Sequence, residues 1–140
     1  MANYNCITRT NYFHVTDEEK YKKLFACLSG EDEVYAFDKK INNKEKVFGF
    51  GCYGNISYTP ENEEDPDDDL DNFYKELQKI LPENEAFVRV EIGYEKLRYL
   101  TAYADIVTSK KITYTDLNEE TVNTVRNLIN KKDWHLNITY

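Results

Sequence analysis

Eight of the eleven residues from Glu61 to Asp71 are carboxylates and none is basic. A segment of this kind stays in water, because burying an unpaired carboxylate costs several kcal/mol. The fold has to be built on either side of it. The 140-residue chain holds 26 acidic and 18 basic residues, a formal net charge of −8. Taking away the eight carboxylates of the run leaves 18 acids against 18 bases, so the remainder is a formally neutral body with one concentrated negative feature. At this length the chain reads as a single α+β domain, 1–140, with an acidic loop and helix entrance at 61–71.

On either side of the run the pattern is strand and helix. Tyr4 to Val15 is rich in Ile, Thr, Tyr, Phe and Val and reads as a strand. Thr16 with Glu19 forms a capping box for a helix whose apolar face is Tyr21, Leu24, Phe25 and Leu28, with Gly30 as its stop. Glu33 to Ile41 and Lys46 to Tyr58 read as a hairpin turning at Asn42 to Glu45. The second of these strands alternates aromatics with Gly49, Gly51 and Gly54. One of its faces is therefore bulky and the other nearly bare, and close packing of another backbone is the simplest use of the bare side.

Beyond the run, Asp65 and Pro66 read as N-cap and first residue of a helix. Its stripe is Leu70, Phe73, Leu77, Ile80 and Leu81, with Tyr74 beside it, and Pro82 ends it. Ala86 to Ile92 is a strand with Val88, Val90 and Ile92 on one face and Phe87, Arg89 and Glu91 on the other. A turn at Gly93 to Lys96 leads to a return strand, Leu97 to Thr108. Its two sides are Leu97, Tyr99, Thr101, Tyr103, Asp105 and Arg98, Leu100, Ala102, Ala104, Ile106. A short strand, Lys111 to Thr115, extends the meander. Asn118 caps a last helix with Val122, Val125, Leu128 and Ile129 as its buried stripe, and Trp134 to Tyr140 alternates like an edge strand. Two successive strand–helix–hairpin units suggest a ferredoxin-like or related antiparallel or mixed sheet, with helices mainly on one face. The other face would be open to solvent, a partner or a second copy in a homodimer.

The chemistry-bearing residues form no catalytic motif, so the chain is read as a non-enzyme. The two histidines, His14 and His135, lie far apart in sequence. No nucleophile elbow, H-E-x-x-H motif or phosphate-binding glycine loop is present. Cys6, Cys27 and Cys52 are odd in number, widely spaced and in apolar contexts, as buried reduced thiols are. Asp65, Asp67, Asp69 and Glu76 fall at calcium-loop positions 1, 3, 5 and 12, but Leu70 occupies the place that needs glycine. No dedicated metal and no cofactor is expected. Tyr94, Lys96, Arg98, Tyr99 and Tyr103 could form a base-stacking cluster, although cross-strand pairing on a half-buried sheet is the simpler account of them.

A pI near 4.8 argues against nucleic acid or an anionic membrane as a direct partner. No apolar run reaches the roughly 18 residues needed to span a bilayer, and Met1 to Tyr4 carries neither a basic region nor an apolar core, so a cytoplasmic protein is expected. The acidic run is either a solvated helix entrance or a nucleic-acid mimic. Extended, its charges recur roughly every 4–5 Å, and in a helix roughly every 2 Å. Single-stranded and duplex backbones present one about every 3.4 and 1.7 Å. Glu61, Glu63, Glu64, Asp65, Asp67, Asp68, Asp69 and Asp71 are then the partner-binding residues, and a basic protein surface is the partner. The alternative is a small-ligand or regulatory module using the glycine-bare strand from Phe50 to Gly54.

Arg9 to Val15, Arg-Thr-Asn-Tyr-Phe-His-Val, and Gly93 to Leu100, Gly-Tyr-Glu-Lys-Leu-Arg-Tyr-Leu, resemble small uncharacterised proteins carried by phages and conjugative elements of Gram-positive bacteria. The likeness extends over most of the chain and includes the acidic segment before the middle helix. It rests on no catalytic motif and so assigns no functional residue. It implies a context in which anti-CRISPR and antirestriction proteins block basic nucleic-acid-handling machines.

Overall fold

The computed structural model of the chain describes residues 4–41, 45–60, 70–97 and 99–136. In chain order the elements are β1 (Asn5–Thr10), α1 (Glu18–Ala26), β2 (Leu28–Gly30), β3 (Val34–Ala36), β4 (Lys39–Ile41), β5 (Glu45–Val47) and β6 (Phe50–Cys52). They continue as β7 (Ile56–Tyr58), α2 (Leu70–Gln78), β8 (Ala86–Glu95), β9 (Tyr99–Thr108), β10 (Ile112–Asp116) and α3 (Leu117–Ile129). The fold is α+β. Six strands form one antiparallel sheet in the order β10-β9-β8-β1-β6-β3, and β2 with β7 and β4 with β5 form two short antiparallel ribbons.

The expected hairpin on 33–58 is present from Val34 to Cys52 but interrupted, and Ile56–Tyr58 leaves it to pair with β2. β3 pairs with β6 and β4 with β5, and between them the Phe37 amide donates to the Gly49 carbonyl at 2.7 Å. Phe48 is drawn out of that ladder to bridge Phe13 beyond the end of β1. Asn42, Asn43 and Lys44 of the expected turn lie outside the described residues.

Both α1 and α2 cover the same side of the sheet. Tyr21 and Leu24 come down from α1, and Phe73, Tyr74 and Leu77 from α2, onto Phe50, Cys52, Phe87 and Val107 of the strands. The centre is a set of aromatic rings meeting edge to face, Phe13 with Phe87 at 5.1 Å and Phe50 with Phe73 at 6.1 Å, the geometry that ring quadrupoles favour. Among the described residues no helix is long and apolar enough to cross a membrane.

Several boundaries differ from the sequence reading, each for a local reason. Asp17 caps α1, its carboxylate accepting from the Lys20 amide at 3.1 Å. Thr16 is diverted to the Ile80 carbonyl through both its amide and its hydroxyl. The helix ends at Cys27, and Gly30 belongs to β2, where an added Cβ would meet Cys52 Sγ at 2.6 Å. The expected cap Asp65–Pro66 lies outside the described residues, and α2 stops at Gln78, four residues before Pro82.

Gly93 is not a turn residue but lies within β8, where the missing side chain makes room for the Tyr4 ring. The turn falls at Lys96 and Leu97, with Lys96 at φ 52°. Asp116, not Asn118, caps α3, accepting from the amides of Asn118 and Glu119. The apolar stripe expected to bury α3 does not do so: no residue of α3 is buried, and Leu128 and Ile129 are largely exposed. Trp134 to Leu136 form no strand, and the rest of the expected edge strand lies outside the described residues.

Candidate functional site

Of the eight carboxylates expected to meet a partner, Glu61, Glu63, Glu64, Asp65, Asp67, Asp68 and Asp69 lie outside the described residues. Asp71 is described. It stands in the first turn of α2, where the helix dipole favours negative charge, and accepts a hydrogen bond from the hydroxyl of Tyr114 on β10, the edge strand of the sheet. The C-terminal end of the run is therefore tied to the sheet edge at the protein surface. Of the acids at calcium-loop spacing, only Glu76 is among the described residues. The second half of that spacing, from Leu70 to Glu76, is helical, and Glu76 is engaged by Lys79 at 2.9 Å and Lys20 at 3.8 Å. Among the described residues no cluster of three or more His, Cys, Asp or Glu side chains could hold a metal ion.

Beneath α2 lies a buried ionic cluster. Register pairs Arg89 on β8 with Asp105 on β9, and both point to the helix-covered side. The Arg89 guanidinium donates to Asp105 Oδ2 through Nη2 at 2.7 Å and Nε at 3.1 Å, to Glu91 through Nη1 at 3.1 Å and to the Tyr74 hydroxyl at 2.8 Å. Tyr74 donates in turn to Asp105. Glu91 also accepts from Tyr4, whose hydroxyl lies 2.6 Å from that of Thr101. Burial holds the Tyr74 phenol far above its ordinary pKa, so it remains a neutral donor. No buried side-chain nitrogen or oxygen among the described residues lacks a partner. The cluster joins α2 to the central hairpin through Tyr74, Arg89 and Asp105. The sequence reading put Arg89, Glu91, Tyr103 and Asp105 on the right faces without joining them. The turn expected at Gly93 to Lys96 would set Arg89 against Leu100; the observed pairing of Glu95 with Tyr99 sets it against Asp105.

Cys6, Cys52 and His14 each have a different partner. Cys6 Sγ donates to Asn55 at 3.2 Å, and burial, aided by Glu91, pushes its thiol up to about 11. Cys52 Sγ points to the Asp32 carbonyl. His14 instead bonds Glu85 at 2.7 Å and faces Glu45 at 3.4 Å. The Glu85 hydrogen bond raises the imidazole above its ordinary pKa. The tyrosines proposed to stack bases also divide: Tyr94 points to the open face, while Tyr99 and Tyr103 belong to the opposite one.

On the open face the bare strand is already occupied. An added Cβ at Gly51 would meet the Thr8 carbonyl at 3.0 Å and the Phe37 ring at 3.3 Å, and at Gly49 the Asn11 carbonyl at 3.2 Å. The hollow left beside it, between Ile7, Tyr35, Phe37 and Tyr53, is about 220 Å³. That is below the roughly 300 Å³ at which ligand pockets begin. Further along, the same face is aliphatic, with Ile7, Val90, Ile92 and Leu100 all exposed. Comparison with family models, curated proteins and solved structures finds no match.

Proposed function

We propose that this chain is a non-enzymatic interaction protein that engages a basic, nucleic-acid-binding protein surface through the carboxylates from Glu61 to Asp71. The partner class is a host defence nuclease, blocked as an anti-CRISPR or antirestriction protein would block it, with the run standing in for a phosphate backbone. The observation that carries this reading is the charge distribution: eight carboxylates in eleven residues on a body otherwise formally neutral. Such a feature displaces counterions from a cationic channel much as a nucleic acid does. The surface position of Asp71 beside Tyr114 agrees with it, as does the mobile-element context that the resemblance implies. We read the core of the fold, β1-α1-β3-β6-α2-β8 with strand order β8-β1-β6-β3, as a ferredoxin-like unit widened by β9 and β10; that strand order supports the reading.

The test is capture from a Gram-positive lysate by wild type and by a variant with Asp67, Asp68 and Asp69 changed to Asn. Asp71 is kept because it holds Tyr114. A basic nuclease retained by wild type alone, released by salt and inhibited in a cleavage assay, is the expected result. Equal capture by the variant, or no salt-released partner, removes the mimic.

A further inference from the structure

We propose that the uncovered face of the sheet is a contact between two copies of this chain. Ile7, Val90, Ile92, Leu100 and Leu117 are 40–60% exposed in one copy. β1 pairs with β8 and β8 with β9, so that Ile7, Ile92 and Ala102 stand in one row across the face, and Arg9, Val90 and Ala104 in the next. Large side chains thus flank small ones. The small ones floor a trough of about 320 Å³ lined by Val90, Ile92, Ala102, Ala104 and Thr115 of the sheet and by Leu117 and Glu120 of α3. A ridge and a trough side by side on one surface are what a two-fold contact needs, since each copy offers both halves of the fit.

The size agrees. The four strands β1, β8, β9 and β10 have six, ten, ten and five residues. At about 3.3 Å per residue and 4.8 Å between strands they make roughly 500 Å² of flat sheet. Side-chain relief and the adjoining helix bring this toward the ~800 Å² per partner of a standard stable interface.

That helix is α3. It runs on from β10 beside the part of β9 that β10 leaves unpaired, and the Asn118 side chain donates to the Leu100 carbonyl at 2.9 Å. It has thirteen residues, none buried, a length at which a helix without packing is marginal. Leu117 and Leu128, three turns apart on one side, are 60% and 78% exposed. A second copy laid on the sheet face also covers the start of this line.

Charge selects a copy of the chain over the basic partner proposed above. Among the described residues of β1, β8, β9 and β10 that point to this side, Arg9 alone is charged, and its guanidinium lies 4.3 Å from the centroid of the Phe37 ring. A cationic surface finds one carboxylate here, Glu120 of α3, against the eight of the acidic run, so this face suits an apolar copy better than a basic partner. The two contacts also respond oppositely to salt. Screening weakens capture by the acidic run but relieves repulsion between two bodies of charge −8.

Sedimentation equilibrium of the whole protein decides the matter. Wild type is expected at twice 16.6 kDa, with a dimer that tightens as salt rises. Changing Ile92 and Leu117 together to Glu, at positions exposed in the single copy, should raise the dissociation constant about 100-fold or more with an unchanged far-UV spectrum. Ile7→Glu is the second variant should the first misfold. A wild-type mass of 16.6 kDa at every concentration overturns the proposal. So does a dimer indifferent to both variants, or a different protein found on this face. None of these results touches the acidic-run reading, which the Asp-to-Asn variant tests alone.

Discussion

Arg89 is 6% exposed and holds two carboxylates that are buried as deeply, Glu91 at 3% and Asp105 at 6%. Removing the cation strands both, so Arg89→Met is expected to destabilise the fold by about 3–5 kcal/mol, the usual consequence of breaking a buried ion pair from one side. Urea unfolding measures this, and a loss below about 1 kcal/mol would mean that water reaches the cluster. A second residue-scale effect is pH-dependent. His14 is raised above 6.5, chiefly by its bond to Glu85, so its contribution is complete below 6.5 and is lost as pH rises through the folded value. Glu85 is lowered below 4.5: burial pushes it up, but hydrogen bonds from the His14 ring and from the His14 and Ala86 amides outweigh that. Its contribution is complete above 4.5 and lost as pH falls. Wild type should therefore exceed His14→Gln in melting temperature most between 4.5 and 6.5 and converge with it in alkali. With His14 41% exposed, the gap stays below about 1 kcal/mol. A gap that grows toward alkaline pH would contradict the assignment.

Among the elements, the β8–β9 hairpin carries strain at its turn. Lys96 holds φ at 52°, a left-handed conformation costly for a residue with a Cβ. Lys96→Gly should raise stability by about 0.5–1 kcal/mol in thermal unfolding, since glycine's greater unfolded-state entropy offsets part of the relief. The alternation along this hairpin was legible from the residues, and it assigned each side chain to its face. Which face meets the helices was not, because hydrophobicity alone does not send Arg89 and Asp105 inward and leave Val90 and Ile92 outside. The decision comes from pairing across strands and from Tyr74 on α2, contacts made between distant segments. Helix starts slipped by one or two residues for a related reason. Thr16 and Asp17, like Asp116 and Asn118, all have cap chemistry, and tertiary partners decided between them. The Ile80 carbonyl takes Thr16 and the Leu100 carbonyl takes Asn118, leaving each aspartate to cap. The acidic run was plain as composition, but of its residues structure speaks only for Leu70 and Asp71.

For the molecule as a whole, the excess charge and the apolar side chains of the sheet face belong to different segments of the sequence, and this separates what salt can do to each. The net charge of −8 equals the charge of the run, so the long-range field of the protein originates in one short segment. The Debye length falls from about 30 Å at 0.01 M salt to about 10 Å at 0.1 M. Attraction of a cationic probe, such as an oligolysine peptide, should accordingly weaken steeply over that range in wild type. Replacing Asp67, Asp68 and Asp69 by Asn removes three of the eight charges and should flatten the dependence of log affinity on log salt in rough proportion. Folding should change by less than about 0.5 kcal/mol, because each Asn keeps the shape and polarity of the Asp it replaces. The sheet-face variants Ile92→Glu and Leu117→Glu add negative charge elsewhere and should leave the slope as steep as in wild type or steeper. If the Asn variant kept the wild-type slope, the field would originate in the body of the protein, and the formal neutrality of its 18 acids and 18 bases would conceal an uneven distribution. A flattened slope with an intact fold would make the run a separable electrostatic module, able to serve any cationic channel wide enough to admit it.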